Sequence, residues 1–335
     1  MPTLVVDPRS PDPDVIARAA DLLRAGHLVA FPTETVYGLG AHALDAAAVR
    51  RIFEAKGRPA YNPLIVHVPD AAGARRIVTD WPEVADRLAE AFWPGPLTLV
   101  LPKRPEVPDE VTAGLPSVAV RVPAHPVALA LLRAAAIPVA APSANRFTEL
   151  SPTRAAHVER ALGDRVALVL DGGSTDVGIE STVLDLTGER PTLLRPGVLD
   201  EARIAAVIGP LARPMSAGFA TEARKSPGMI ERHYAPRAAL VLVDPADAGA
   251  VARARALVAT AAASGQAAGA LQLDRLDVSA AHVVPMPPDP AGYARRLYAA
   301  LHELDELGCS AVVVEAVPGG PEWEGVRDRL RRAAH

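Results

Sequence analysis

The spacing of apolar and polar positions lays out a run of alternating helices and strands. In DVIARAADLLRA (14–25) apolar residues recur at helical intervals, and Gly26 supplies a stop. HLVAF reads as a buried strand. Asp45 is the cap expected for a helix over AAAVRRIFEAK, which Gly57 and Pro59 end. LIVHV is another strand. Trp81 to Phe92 predicts a helix that stops at Pro94-Gly95-Pro96, after which LTLVLP resumes extended chain. SVAVRVP is a short strand with Arg121 near its end, PVALALLRAA a helix, and IPVAAPSAN a strand running into a polar loop. Thr153 is the cap expected for a helix over RAAHVERAL. VALVLD is a strand entering DGGSTDVGIEST, and STVLDLT and PTLLRPG complete the series.

The rhythm then breaks. Residues 213–237 have little periodicity and are rich in Pro, Gly, Ser and charge, yet contain Met, Phe, His and Tyr. This composition predicts an ordered linker rather than a passive spacer. A clean β-α-β alternation follows: ALVLVD, a helix near 246–263, AAGALQL, HVVPM, a helix from Tyr293 to Leu307, SAVVVEAV and a last helix from Trp323. The expected organisation is therefore α/β, with a larger domain over 1–212, a linker over 213–237, and a small open domain with a mainly parallel sheet over 238–335.

Bulk properties narrow the class. At 335 residues, two domains of adequate core size are expected. No apolar run is long enough for a membrane span, and the N-terminal segment lacks the basic start and apolar middle of a signal peptide, so a cytoplasmic location is expected. The single Cys309 is incompatible with a disulfide framework or a cysteine-based zinc site. A net charge of −4 argues against stable nucleic-acid binding, although a local basic cleft would escape that test.

Chemistry concentrates between Phe31 and His67. The chain has 35 Lys+Arg, but only Lys56, Lys103 and Lys225 are lysines, and Lys56 stands two residues from Arg58. A compact ammonium beside a planar fork suits phosphate or carboxylate, whereas a solvated helix end explains the pair equally well. Arg121 in an apolar strand needs a partner or a cleft; both a structural ion pair and a carboxylate ligand satisfy this. His67 in LIVHV fits a core histidine or a catalyst. Ser143 and Asn145 follow a strand at the edge where α/β folds bind ligands, and they also suit an ordinary turn. Ser181 and Thr182 follow a glycine-spaced loop that can form an anion nest or a plain polar turn. GLGAHA (38–43) matches a dinucleotide fingerprint in letters only. PTETVY separates it from the preceding strand, and no acid lies between Arg58 and Asp70, so a turn or close packing is expected of these glycines. No P-loop, HExxH or close carboxylate pair with metal-ligand spacing occurs, and no protein metal cage is expected.

In combination, FPTETVYGLG, Lys56-Gly57-Arg58-Pro59, Asn62-Pro63-Leu64, PGPLT, VAVRVP, APSAN and the GIEST loop resemble the YrdC-like domain of threonylcarbamoyl-AMP synthases, whose hallmark is the paired Lys-x-Arg and Ser-x-Asn. SPGMIERHYAP and the second α/β unit resemble the long, two-domain form. Ile230-Glu231 departs from the more basic sequence expected there. The resemblance implies an open, twisted mixed sheet with a concave cleft, followed by a smaller Rossmann-like domain. It implies a nucleotidyl transfer that joins L-threonine, bicarbonate (or CO2) and ATP, with Mg²⁺ carried on ATP. A tRNA threonylcarbamoyl transferase complex would act downstream. It implies threonine contacts at Thr35, His67, Arg121, Ala141 (through its backbone) and Ser181. ATP contacts are implied at Arg58, Asn62, Ser117, Ser143, Ser151, Arg195 and Tyr234, with Lys56 and Asn145 completing the pairs at the reacting centre. On this reading the 213–237 linker closes over the cleft as a lid. His67 is a candidate base for the threonine amine, alongside solvent or substrate. An RNA-binding factor disagrees with the acidic charge. A hydrogenase-maturation carbamoyltransferase disagrees with the single Cys, and a nicotinamide oxidoreductase with the misplaced glycines.

Overall fold

The computed structural model describes residues 2–213 and 233–334. The ten strands of the first sheet are, in chain order, β1 (Thr3–Val5), β2 (Val29–Pro32), β3 (Tyr37–His42), β4 (Ile65–His67), β5 (Leu97–Pro102), β6 (Ser117–Arg121), β7 (Val139–Ala140), β8 (Leu168–Asp171), β9 (Thr182–Asp185) and β10 (Thr192–Arg195). Their spatial order is β1-β8-β2-β3-β7-β4-β6-β5-β9-β10. Pairings of both senses occur: β4 runs parallel to β6 and antiparallel to β7. The expected open mixed sheet is thus present.

Three helices show how the sequence fixes its faces. In Pro13–Arg24 the N-cap Asp12 accepts from the amides of Asp14 and Val15, and Ile16, Ala19, Ala20 and Leu23 are buried. They pack with Val127, Leu131 and Leu132 of the helix Pro126–Ala135 on one face of the sheet. On the other face lies Ala46–Lys56, capped by Asp45 and ended by Gly57 at φ 62°, a conformation glycine adopts without a Cβ clash. Its Val49 and Ile52 join Leu39, Leu64 and Val120 in the largest core.

Several local expectations shift. The helix expected from Trp81 runs Glu83–Phe92, because Pro82 fits only at its entrance. Thr153 is not the cap of Ala155–Leu162; that position is Arg154, and His157 Nδ1 reaches back to accept the Thr153 amide at 3.2 Å. The glycines of GLGAH stand in strand β3, not in a turn. A Cβ on Gly40 would lie 2.8 Å from Phe31 Cε1 and 3.0 Å from Val139 Cγ1, so close packing is their role.

The second sheet comprises β11 (Ala239–Val243), β12 (Ala268–Gln272), β13 (His282–Pro285) and β14 (Ala311–Glu315), ordered β11-β14-β12-β13 with every pairing parallel. This matches the small parallel unit expected from the β-α-β rhythm. Its helix Pro290–Glu306 docks on the first sheet's loops: Val36, Leu150 and Ile179 share a core with Ala294, Leu297 and Tyr298. The approach is close enough that a Cβ on Gly178 (φ +83°) would meet the Ala294 carbonyl oxygen at 2.4 Å. Of the linker, residues 214–232, including Ile230 and Glu231, lie outside the described residues, as does most of the expected lid. Among the described residues, no helix is long and apolar enough to cross a membrane.

Candidate active site

Loops at the strand ends, together with the end of the linker, border a cleft of about 530 Å³ when the space open to solvent at its mouth is included. Its walls include Thr35, Arg58, His67, Arg121, Ala141, Ser143, Ser181, Arg195 and Tyr234, all singled out in the sequence, the linker residue His233 that precedes Tyr234, and also Thr33 and Glu180, which were not singled out. Lys56, Asn62, Ser117, Asn145 and Ser151 are buried but do not line it.

Strand register builds one end. His67 and Arg121 are direct partners in the parallel pair β4–β6 and therefore share a face. Arg121 donates to Thr35 Oγ1 at 2.9 Å and to the Gly95 oxygen at 3.2 Å, and it lies 2.6 Å from Glu34 Oε1. The structural ion pair considered for Arg121 therefore exists, yet three contacts occupy only three of its five N–H groups. Burial first, and Arg121 second, push the His67 pKa down to about 3. The ring stays neutral at pH 7 and is a poor proton acceptor, which weakens its candidacy as the base. Ser181 Oγ is paired with Thr98 Oγ1 at 2.8 Å.

In the glycine-spaced loop before Ser181, two amides are already engaged and unavailable to an anion. Val177 and Gly178 donate theirs to the carbonyls of Glu34 and Thr35. The loop instead buttresses the 33–35 turn.

The other end is cationic. Arg58 and Arg195 are buried with exposures of 7% and 3%. Burial, with Arg195 nearby, lowers the Arg58 pKa to about 9. Burial and the adjacent Arg58 likewise hold Lys56 well below the ordinary lysine range. The solvated-helix-end reading of Lys56 and Arg58 fails on this burial. His233 carries both ring nitrogens buried without a hydrogen-bond partner among the described residues, and its pKa is driven well down by burial and then by Arg58. Such clustering of like charges costs free energy that an entering anion returns.

Lys56 and Asn145 work behind the wall. The Lys56 ammonium donates to the Ser143 carbonyl at 2.5 Å, to the Asn145 carbonyl and to Asn145 Oδ1 at 3.1 Å. Ser143 Oγ donates to the same Oδ1 at 2.5 Å, and Asn145 Nδ2 to the Glu149 carbonyl at 2.7 Å. Strand β3 clamps this loop from its other side, since Leu39 donates its amide to the Pro142 carbonyl and Ala144 to that of Tyr37. Ser151 donates to the Glu180 carboxylate. Burial alone would raise the Glu180 pKa, but Arg329 and then Arg195 hold it below the usual range.

A family model described as "Telomere recombination", that of the Sua5, YciO and YrdC proteins, matches residues 21–197, and one described as "Threonylcarbamoyl-AMP synthase, C-terminal domain" matches 199–335. The threonylcarbamoyl-AMP synthase of Pyrococcus abyssi is 44% identical over 317 residues, covering 94% of this chain and 93% of its own. That of Bacillus subtilis is 42% identical over 335 residues, covering 98% and 96%. The chain belongs to the threonylcarbamoyl-AMP synthase family. A crystal structure of P. abyssi Sua5 complexed with L-threonine superposes with a TM-score of 0.92 at 42% identity, covering 100% of this chain and 98% of that one. The family resemblance read from the hallmark motifs therefore holds over both sheets.

Proposed function

We propose that this chain condenses L-threonine, bicarbonate (or CO2) and ATP into L-threonylcarbamoyl-AMP and pyrophosphate, with water also released when bicarbonate is the carbon source. The product would serve a separate transferase complex that modifies tRNA to N6-threonylcarbamoyladenosine in the cytoplasm. The observation that carries this reading is one chamber with an amino-acid end (Thr35, His67, Arg121, Ala141, Ser181) beside a cationic end (Arg58, Arg195).

In this reading the threonine carboxylate meets the two N–H groups that Arg121 keeps free, and its hydroxyl meets the Thr35 or Ser181 hydroxyls. The neutral amine adds to CO2, losing a proton to solvent or substrate, and the carbamate oxygen attacks the α-phosphorus as pyrophosphate leaves. Such a displacement needs positioning and charge stabilisation rather than a covalent nucleophile. Arg58 and Arg195 are the groups placed to stabilise the phosphate charge. The Lys56 ammonium holds the Ser143 wall in place through the Ser143 and Asn145 carbonyls, so its part is to fix geometry beside the reacting atoms.

Mg²⁺ fits this site as a passenger on phosphate oxygens. The cleft's neighbouring carboxylates, Glu34 and Glu180, are engaged by Arg121 and Arg329. Among the described residues no group of three His, Cys, Asp or Glu side chains is arranged to hold a metal ion. Bound there, the ion would neutralise charge building on the pyrophosphate. Arg58 and Arg195 in the cleft are too buried to lie along an RNA backbone, which favours small anionic substrates for this site.

The test is mass spectrometry of the full chain mixed with ATP, Mg²⁺, L-threonine and ¹³C-bicarbonate. Labelled threonylcarbamoyl-AMP is expected. Pyrophosphate release without that product, or no turnover, would overturn the reading.

A further inference from the structure

The last helix, Glu324–Ala333, sends one side chain into the back of the cleft wall. Arg329 is 0% exposed. Its Nε donates to Glu180 Oε2 at 2.7 Å and one terminal nitrogen to the Glu180 carbonyl at 3.2 Å. The other terminal nitrogen donates to the Pro196 carbonyl and to Asp328 Oδ2, both at 2.8 Å. The guanidinium carbon lies 5.4 Å from the centre of the Tyr234 ring. Glu180, which lines the cleft, is bound further by Ser151 Oγ and by the Tyr298 hydroxyl at 3.2 Å. The chain of contacts returns to the linker: Arg332 Nε donates to Asp328 at 3.0 Å, and the Arg332 carbonyl accepts the His233 amide at 3.1 Å.

A second observation concerns what is being held. Tyr234 has φ 62°, in the left-handed region, and faces Thr148 at φ 69° across the hydrogen bond from the Ala235 amide to the Thr148 carbonyl at 3.0 Å. A tyrosine stays in that conformation only where its surroundings over-determine it. Its ring is enclosed by the Arg329 guanidinium, by Tyr298 at 5.9 Å and by His233 at 4.1 Å between ring centres.

We propose that Arg329 is a positioning residue for the reaction: by gripping Glu180 and covering Tyr234 it sets the cationic end of the cleft, and thereby nucleotide binding, from the second domain. The inference rests on the threonine-and-ATP reading of the cleft. The part of the amino-acid end built on Arg121 does not depend on it: Arg121 is held by Thr35, Gly95 and Glu34, none of which Arg329 touches, whereas Ser181 Oγ is bonded to Thr98 and also accepts from Arg195 at 3.2 Å.

The experiment uses the full chain carrying Arg329→Lys, which keeps the charge but loses the fork and the plane. Two readouts are taken beside a melting curve: steady-state kinetics, and hydrogen exchange of the Ala235 amide in ligand-free protein. A folded variant should raise the KM for ATP by about tenfold or more while the KM for L-threonine moves by less than about threefold. Its Ala235 amide should exchange about tenfold faster or more. A folded variant with both readouts unchanged, or with both KM values raised alike, overturns the proposal. If the lysine variant does not fold, the paired change E180Q with R329M removes both buried charges together and carries the same expectations. If the wild-type protein makes no threonylcarbamoyl-AMP, the functional reading falls. The exchange readout then decides alone whether Arg329 holds Tyr234: faster exchange supports it, and unchanged exchange overturns it.

Discussion

Lys56 and Asn145 stand on separate elements, yet Nζ of the first lies 3.1 Å from Oδ1 of the second and also bonds its carbonyl oxygen. The two hallmark dipeptide patterns are therefore one physical unit: the lysine at the end of a helix holds the loop that presents Ser143 to the cleft. Lys56→Ala should lose stability and rate together. Each buried carbonyl left without its donor costs about 1–3 kcal/mol, which a lowered melting temperature would register. Threonine-dependent pyrophosphate release should fall by about 10²–10³, as expected when one group at a charge-stabilising site is lost. Full rate with an unchanged melting temperature would contradict this account.

Substrate selectivity follows from the hydroxyl-rich amino-acid end. A site whose buried hydroxyls pair with the threonine hydroxyl should reject valine by about 10⁴-fold in kcat/KM, while serine, lacking one methyl, should lose only about 10–200-fold. Competition assays with the three amino acids measure both ratios. Turnover of valine comparable to threonine would refute the pocket.

Acid should loosen the contact between the two domains. His157 and His302 stack at 3.8 Å across it. Burial, reinforced by His302 itself and by Arg160 and Arg154, lowers the His157 pKa from 6.5 to about 3, and burial lowers that of His302 to about 4. Between those values and about 6.5 the unfolded chain binds more protons than the folded one. Stability from this pair is thus complete above that window and declines as pH falls through it. Melting temperatures from pH 7 to pH 4.5 should drop less steeply in His302→Gln than in wild type, by up to about one proton's worth of slope. Parallel curves would show that the stacked imidazoles do not contribute.

Removing the second domain should damage the first. Truncation after Pro210 uncovers Val36, Leu150 and Ile179 and leaves the buried Glu180 without Arg329. The fragment should fold with a lowered melting temperature and show little synthase activity. Adenylate formation at the full-length rate would refute a catalytic contribution from the linker and second domain.

Much of this was legible because it is local. Asp45 and Gly57 bound the helix that delivers Lys56, and the apolar runs LIVHV and SVAVRVP form β4 and β6, placing His67 beside Arg121. Strand β3 was not assigned because its glycines suited a turn as well as close packing, and only the bulk of Phe31 and Val139 from neighbouring strands decides for packing. Glu180 and Arg329 were missed for a related reason. They are 149 residues apart, and nothing within either segment signals that a helix of one sheet completes the wall beside another. The charged candidates Lys56 and Arg58 carried a solvent-exposed alternative that only burial could remove.

The ion pair between Glu180 and Arg329 also constrains how this architecture can be rearranged. A protein reduced to the first sheet inherits a buried acid that has lost its bonded guanidinium and keeps only Ser151 and the nearby Arg195, so the shortened form must rebalance that side chain before its cleft can work. Exchanging halves between relatives meets the same demand from the other direction: a grafted second half must bring a guanidinium to that spot, or the hybrid starts life with a buried charge short of a partner.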